Sequence, residues 1–152
     1  MVELRIRVNG EDRTLDVRPN ETLLDVLRNR LNLKSVKAAC WRGECGLCTV
    51  LLDGKPVKSC LVLAAEVNGS EITTVEGLGL DGRLSAIQRA FLEKGAIQCG
   101  FCTPAFVLVA EALSKLNPAP TEAEIRESIS GVLCRCTGYK QIVEAILSAI
   151  SR

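Results

Sequence analysis

The sequence contains no histidine, and only 3% of its 152 residues are aromatic. Without histidine the chain has no imidazole base for a catalytic triad and no ligands for a Rieske centre. Zinc sites of the mixed cysteine–histidine type are excluded for the same reason. If the chain belongs to an enzyme, we therefore expect the bond-making chemistry to lie elsewhere.

Strong charge and long apolar runs are also missing. The 19 basic and 18 acidic residues nearly cancel and form no basic run, so nucleic acid is not the expected partner. No apolar run reaches the ~18 residues of a membrane span. Residues 1–7 alternate apolar and charged side chains and lack the apolar core of a signal peptide. We expect a cytoplasmic protein, whose cysteines serve as metal ligands rather than disulfides.

The chain has eight cysteines, which fall into two sets of four with none left over. The first set has C-x4-C-x2-C spacing followed by a more distant fourth thiol, and consists of Cys40, Cys45, Cys48 and Cys60. This spacing is typical of the plant-type [2Fe–2S] ferredoxins. Gly43 and Gly46 lie between the thiols, where glycine allows left-handed turns close to an inorganic core.

The second set pairs C-x2-C with C-x-C and consists of Cys99, Cys102, Cys134 and Cys136. Because side chains at i and i+2 of a helix do not face each other, residues 134–136 must form a bend, which Thr137-Gly138 supports. The N-terminus of the helix after Cys102 is expected to stabilise thiolates.

Other uses of the cysteines remain open at this point. The second set alone fits zinc as well as an iron–sulfur cluster. Thioredoxin-like dithiols would leave four cysteines without a role. Trp41, within the first cysteine loop, is either a partner contact or a cover for the cluster.

The pattern of apolar residues predicts strands followed by helices. Strands are expected over residues 2–8, 14–17, 49–52, 56–62 and 72–75, with turns at Asn9-Gly10 and Asp53-Gly54. A first helix begins after Thr22, with Asp25 completing a capping box, and its apolar face is Leu23, Leu24, Val26, Leu27 and Leu31.

Four further helices are expected after the glycine-rich residues 77–82. The first has the apolar face Leu84, Ile87, Phe91 and Leu92 and ends at Gly95. The second runs to about Leu116 from an N-cap at Thr103, with Pro104 in its first position. The third begins with the capping box Thr121–Glu124 and buries Ile125 and Ile129. The fourth spans residues 141–150 and uses Ile142, Ile146 and Ile150.

These elements predict an α+β chain of two units. Residues 1–76 would form a β-grasp, plant-type ferredoxin domain and residues 83–152 a four-helix bundle that carries the other four cysteines. Residues 77–82 would link the two units.

Three motifs in this order resemble the small iron–sulfur subunit of the molybdenum hydroxylases, which include xanthine dehydrogenase, aldehyde oxidoreductase and aerobic carbon monoxide dehydrogenase. They are residues 40–50 (CWRGECGLCTV), 98–104 (QCGFCTP) and 134–139 (CRCTGY), and the resemblance covers essentially the whole chain. The chain differs from the family at Trp41-Arg42, Leu47 and Ala105, none of which is a cysteine.

The resemblance implies what the residues do. Cys40, Cys45, Cys48 and Cys60 would hold the ferredoxin-type cluster, toward flavin. Cys99, Cys102, Cys134 and Cys136 would hold the second cluster, nearest the molybdopterin. Gln98 matches the glutamine that hydrogen-bonds the pterin, and Cys136 also contacts it.

The expected function is therefore electron transfer within a molybdenum hydroxylase, without substrate chemistry in this chain. Electrons would pass from molybdopterin in a large subunit through two [2Fe–2S] clusters to FAD in a medium subunit. The assembly would be a heterotrimer or a dimer of heterotrimers, acting on an aldehyde, carbon monoxide or an N-heterocycle. The alternative is a free-standing two-cluster ferredoxin or a zinc-binding structural module.

Overall fold

The computed structural model describes residues 1–79 and 82–150. Residues 80 and 81 of the expected linker, and 151 and 152 of the expected second domain, therefore lie outside the described part. The architecture is α+β, as expected, with a mixed sheet in the first half of the chain and helices in the second. Within the described ranges, no helix is long and apolar enough to cross a membrane.

The first half forms a five-stranded sheet with the strand order β2-β1-β5-β3-β4. The strands are β1 (Val2–Val8), β2 (Glu11–Val17), β3 (Thr49–Leu52), β4 (Lys55–Lys58) and β5 (Glu71–Thr73). β1 and β5 pair in parallel, and the other neighbours are antiparallel. The alternation in β1 places Leu4, Ile6 and Val8 in the core.

One helix covers this sheet. α1 begins at Leu23–Asp25 and continues as a π-helical turn over Val26–Arg30. The predicted capping box is confirmed, because Thr22 and Asp25 exchange side-chain and backbone hydrogen bonds. The helix buries Leu23, Leu24, Val26 and Leu27 over the strands, in a core that also includes Cys48 and Cys60.

Two of the predicted strands were too long. β4 ends at Lys58, and a 3-10 turn over Ser59–Leu61 carries Cys60. The chain turns there because the Ser59 hydroxyl and N–H both donate to the Cys48 carbonyl, at 2.7 and 3.3 Å. β5 ends at Thr73, because the next N–H, of Thr74, donates to the Asn9 side chain at 2.8 Å instead of to a strand.

Residues 82–150 form four helices. They are α2 (Ala86–Glu93), α3 (Thr103–Leu116), α4 (Glu122–Ile129) and α5 (Lys140–Ile150). The predicted capping box at Thr121 and Glu124 is confirmed. Ile125, Ile129, Ile142 and Ile146 are buried in one core with Phe91 and Phe106.

The helix starts and one helix face differ from the prediction. Ser85 caps α2, with Gln88 completing a capping box. Leu92 is 58% exposed, and Leu84 is exposed as well. Both side chains line an apolar cavity of about 330 Å³ between α2 and α3. Thr103 is the first residue of α3 and not its cap, because Cys102 occupies the N-cap position.

The two halves pack directly on each other. Leu51 of β3 contacts Leu108 and Ala112 of α3 in a small buried cluster, with Leu78 at its edge. This contact is apolar and buried, and it lies outside the cysteine loops, so it adds a second attachment between the helices and the sheet.

Replacing Leu108 with alanine should destabilise the protein by roughly 2–5 kcal/mol, because the residue is 1% exposed and its loss leaves a cavity between the halves. Leu116→Ala in the same helix is the matched control, since Leu116 is 83% exposed and should change stability by less than about 0.5 kcal/mol. Urea unfolding of the metal-loaded proteins measures both. Equal losses would show that the contact between β3 and α3 contributes little.

Candidate metal centres

The first cysteine set lies in a loop between α1 and β3. Between Cys40 and Cys48, three residues have positive φ angles, namely Trp41 at 60°, Gly43 at 77° and Gly46 at 69°. These left-handed turns, predicted for the two glycines, coil the loop so that backbone N–H groups point at sulfur. The Cys45 N–H lies 3.5 Å from the Cys40 Sγ.

Backbone donors stabilise the Cys40 thiolate. Hydrogen bonds from the N–H of Cys45, then of Arg42, and also of Glu44, lower the pKa of Cys40 from 9.0 to about 6. Nest-like loops of this kind favour anionic sulfur, whether it is a thiolate or part of a cluster.

The other two thiols of this set lie deeper. Burial, followed by a hydrogen bond to Cys48, raises the pKa of Cys60 to about 11. Cys48 is 3% exposed and Cys60 7% exposed, at the edge of the sheet core. The four thiols therefore form two contacting pairs, Cys40 with Cys45 and Cys48 with Cys60.

The second set lies where the turn before α3 meets the turn before α5. Its four thiols line one cavity of about 270 Å³. The cavity is otherwise lined by Leu47, Phe101, Leu133, Arg135 and, from the first set, Cys45. The C-x2-C segment and the C-x-C segment thus converge on one cavity, as the sequence predicted.

The predicted bend at residues 134–136 is present and is held by its neighbours. The Thr137 hydroxyl lies 3.1 Å from the Cys134 Sγ, and the Thr137 N–H donates to the same sulfur at 3.4 Å. The Cys134 N–H donates to the Tyr139 hydroxyl at 3.0 Å, and the Tyr139 ring packs edge-on against Phe106. The bend is therefore anchored in the helical core.

This set also forms two pairs. Burial, then a hydrogen bond to Cys134, raises the pKa of Cys102 to about 12. Although burial alone would raise it, the two Thr137 donors lower the pKa of Cys134. The hydrogen bond between Cys136 and Cys99 raises the pKa of Cys136. The backbone N–H at the N-terminus of α3 lowers the pKa of Cys102, in the direction predicted for a helix end, but burial and the hydrogen bond to Cys134 outweigh it.

The thiol pairs fit a two-iron cluster. A four-thiolate zinc site gathers all its sulfurs around one ion, whereas a [2Fe–2S] cluster is held by four thiolates shared between two irons. Two contacting pairs per set are the donor arrangement that the cluster requires.

The two sets meet at a seam formed by the first cysteine loop and the segment that joins α4 to α5. The Leu133 N–H donates to the Cys45 carbonyl at 2.9 Å. Beside this bond, a Cβ added to Gly46 would lie only 2.0 Å from the Gly131 carbonyl oxygen. Only glycine at position 46 allows so close an approach. Sequence reasoning did not identify Gly131 or Leu133, because nothing in the pattern shows which loops touch.

The remaining predicted site residues lie at the surface. Gln98 is exposed beside the exposed Cys99, and Cys136, which is hydrogen-bonded to Cys99, is exposed as well. Trp41 is 47% exposed on the first cysteine loop, and Phe101 is 43% exposed with the Lys37 ammonium 5.4 Å above its ring.

Comparison with known proteins agrees with these two sites. Residues 6–79 match the family described as 2Fe-2S iron-sulfur cluster binding domain, and residues 74–147 match the [2Fe-2S] binding domain family. The nicotinate dehydrogenase small FeS subunit of Eubacterium barkeri is 48% identical over 99% of this chain and 96% of its own length.

Two solved structures share the fold. Quinoline 2-oxidoreductase from Pseudomonas putida 86 has a TM-score of 0.95 and 43% identity over 99% of this chain and 93% of its own. Aldehyde oxidoreductase from Desulfovibrio desulfuricans has a TM-score of 0.95 and 44% identity, and the chain spans only 17% of its length.

The fold and the matches define a protein with two [2Fe–2S] domains. The chain belongs to the small iron–sulfur subunits of the molybdenum hydroxylases, as the three cysteine motifs predicted. It is a non-catalytic, electron-transferring subunit of an oxidoreductase, and the main prediction is therefore preferred over a free-standing two-cluster ferredoxin or a zinc-binding structural module.

Replacing Gly46 with alanine should destabilise the seam. Both Gly46 and Gly54 have positive φ angles, of 69° and 79°, so alanine at either costs roughly 1–2 kcal/mol of backbone strain. Only at Gly46 does the new methyl group clash, which should add about 1–3 kcal/mol. Gly54→Ala, which meets nothing within 4 Å, is therefore the matched control. Urea unfolding of both variants measures the difference, and equal losses would contradict a tight seam.

Proposed function

We propose that this chain carries single electrons from molybdopterin in a large subunit, through its two [2Fe–2S] clusters, to FAD in a medium subunit. When bound, each cluster accepts and releases one electron. The observation that carries the proposal is the seam, where the backbone hydrogen bond from Leu133 to Cys45 holds the two cysteine-bearing segments together and Cys45 lines the cavity of the helical set. A scaffold that only needed two metals for stability would not require the sites to touch.

The proposed ligands follow from the thiol pairs. In the ferredoxin set, Cys40 and Cys45 would bind one iron, and Cys48 and Cys60 the other. In the helical set, Cys102 and Cys134 would bind one iron, and Cys99 and Cys136 the other. The pairing is supported by the side-chain hydrogen bonds that join the two thiols of each pair.

The proposed domains follow the two cores. Residues 1–76 would be the β-grasp ferredoxin domain and residues 83–152 the [2Fe–2S]-binding four-helix bundle, with 77–82 between them. The separate cores under the sheet and among α2–α5 support this division.

The chain itself offers a bonded route between the two sites. It runs from the Cys45 sulfur along its own backbone to its carbonyl, across the 2.9 Å hydrogen bond to Leu133, and on through the next residue, Cys134, to its sulfur. Because Cys45 also lines the cavity of the helical set, no solvent layer needs to lie between the two sites.

We further propose that Gln98 and Cys136 face the molybdopterin of the large subunit. Both are exposed beside the helical set, so a partner can reach them. An amide side chain both donates and accepts hydrogen bonds, which suits the mixed polar edge of a pterin.

The substrate of the complex is proposed to be an N-heteroaromatic ring. Nicotinate and quinoline, named for two of the similar proteins, are both of this class, and those relatives match the chain over nearly their full length. Hydroxylation of such a ring carbon by water releases two electrons and two protons, and the chain would take the electrons one at a time. The complex would be a heterotrimer or a dimer of heterotrimers in the cytoplasm, where eight thiols stay reduced.

Cys136→Ser should remove the electron paramagnetic resonance (EPR) signal of the helical-domain cluster and stop electron flow from the molybdenum subunit. Serine lacks the thiolate that the cluster needs, and the electron then has no first acceptor. The ferredoxin-domain signal should persist, because its ligands lie in another loop. Cys40→Ser is the reciprocal control and should remove the other signal alone.

Rapid mixing of the reconstituted complex with substrate, followed by EPR, makes the measurement. Unchanged electron flow to the physiological acceptor in Cys136→Ser would contradict the proposed role. Loss of the same signal in both variants would contradict the assignment of the ligands.

A further inference from the structure

Lys58 contacts the first cysteine loop although it is not part of it. The residue ends β4 opposite Thr49, and its half-buried side chain turns toward the loop. The Lys58 Nζ donates to the Gly43 carbonyl at 2.5 Å. The same nitrogen lies 3.9 Å from the position that a Cβ on Gly131 would take, so the ammonium is at the seam.

The peptide group that Lys58 binds also faces a cysteine. The Gly43 carbonyl belongs to the peptide whose N–H is that of Glu44, and this N–H is one of the donors to the Cys40 sulfur. An ammonium bound to the carbonyl end of a peptide withdraws electron density and strengthens the hydrogen bond made by its N–H end. Lys58 therefore reaches the sulfur through one polarised peptide.

The contacts around Gly43 keep this arrangement in place. A Cβ on Gly43 would lie 2.3 Å from the Leu61 Cδ1, so the glycine backbone is pressed against the side chain that follows Cys60. The Gly43 N–H in turn is a donor to the Cys60 sulfur. Gly43 and its peptides are thus fixed between Lys58 and two proposed ligands.

Among residues 1–79 and 82–150, no carboxylate forms an ion pair with Lys58. In the part of the chain that the structure describes, the ion pairs involve other cations, including Arg42 with Glu44 at 3.0 Å in the same loop. A [2Fe–2S] cluster gains one negative charge on reduction, so a nearby uncompensated cation stabilises the reduced form.

We propose that Lys58 raises the reduction potential of the ferredoxin-domain cluster, acting through the Gly43–Glu44 peptide. The residue is a positioning and tuning residue and not a ligand. The consequence is that electrons arriving from the helical-domain cluster are favoured on the ferredoxin side of the seam. This inference rests on the ligand assignment proposed above.

The test is Lys58→Met, with Lys55→Met as the matched control. Both substitutions remove one positive charge from β4, but Lys55 is exposed and lies at the opposite end of the strand, paired with Leu52. An EPR-monitored redox titration of the full chain carrying both clusters gives the two potentials. We take the ammonium charge to act on the cluster from within about 10 Å at an effective dielectric of about 20, and allow for screening by salt. Removing the charge should then change the ratio of reduced to oxidised cluster roughly three- to tenfold.

Lys58→Met should lower the potential of the ferredoxin-domain centre by about 30–60 mV, the equivalent of that ratio for one electron. The helical-domain centre should shift much less, and Lys55→Met should leave both unchanged. Lys58→Arg, which keeps the charge and a donor, should stay near the parent value. An unchanged potential in Lys58→Met, or equal shifts in Lys58→Met and Lys55→Met, would overturn the proposal.

If Lys58→Met loses iron, Lys58→Gln, which keeps an amide donor without the charge, is measured in its place. Loss of iron from both variants, with retention in Lys58→Arg, would show that Lys58 only holds the loop together and would overturn the tuning role. A failure of the proposed function can be told apart from a failure of this inference, because the parent chain itself would then lack one of the two EPR signals. Failure of this inference would be seen only in the variants.

Discussion

The hydrogen bond between Leu133 and Cys45, with the glycine contact beside it, is the constraint on which the two sites depend. It joins a backbone that carries a thiol of the ferredoxin set to a backbone adjacent to a thiol of the helical set. The apolar contact of Leu51 with Leu108 holds the same two units together farther from the metals. A change at the seam therefore alters the separation of two redox sites, whereas a change in the apolar contact first affects stability.

In both cysteine sets, the pKa values of the thiols are shifted in opposite directions. In each set a thiol whose pKa is lowered by backbone or threonine donors lies near one whose pKa is raised by burial. Cluster binding must displace the protons that the raised thiols hold, so loading is coupled to deprotonation. The donors that lower the pKa of Cys40 and Cys134 would also hydrogen-bond the sulfurs of a bound cluster. Through these hydrogen bonds the fold can adjust the reduction potential of the cluster.

Local chemistry made much of this structure predictable. The capping boxes at Thr22 and Thr121 define helix starts by hydrogen bonds between residues three apart, which a sequence displays directly. The bend at Cys134–Cys136 was predictable because a helix cannot point both thiols at one site. The end of β4 at Lys58 was not, since it depends on Ser59 binding the Cys48 carbonyl, eleven residues away. The Gly46–Gly131 contact and the Lys58 bond to Gly43 join parts of the chain whose proximity only the fold decides.

The central claim is that two thiol quartets in one chain hold two [2Fe–2S] clusters placed for electron transfer. The most direct test is to measure iron, sulfide and zinc in anaerobically purified protein, together with quantitative low-temperature EPR after full reduction. About four irons and four sulfides per chain, with two distinct signals of about one spin each, are the predicted result. Zinc in place of iron, persisting after reconstitution with iron and sulfide, or a single signal of one spin, would contradict the claim.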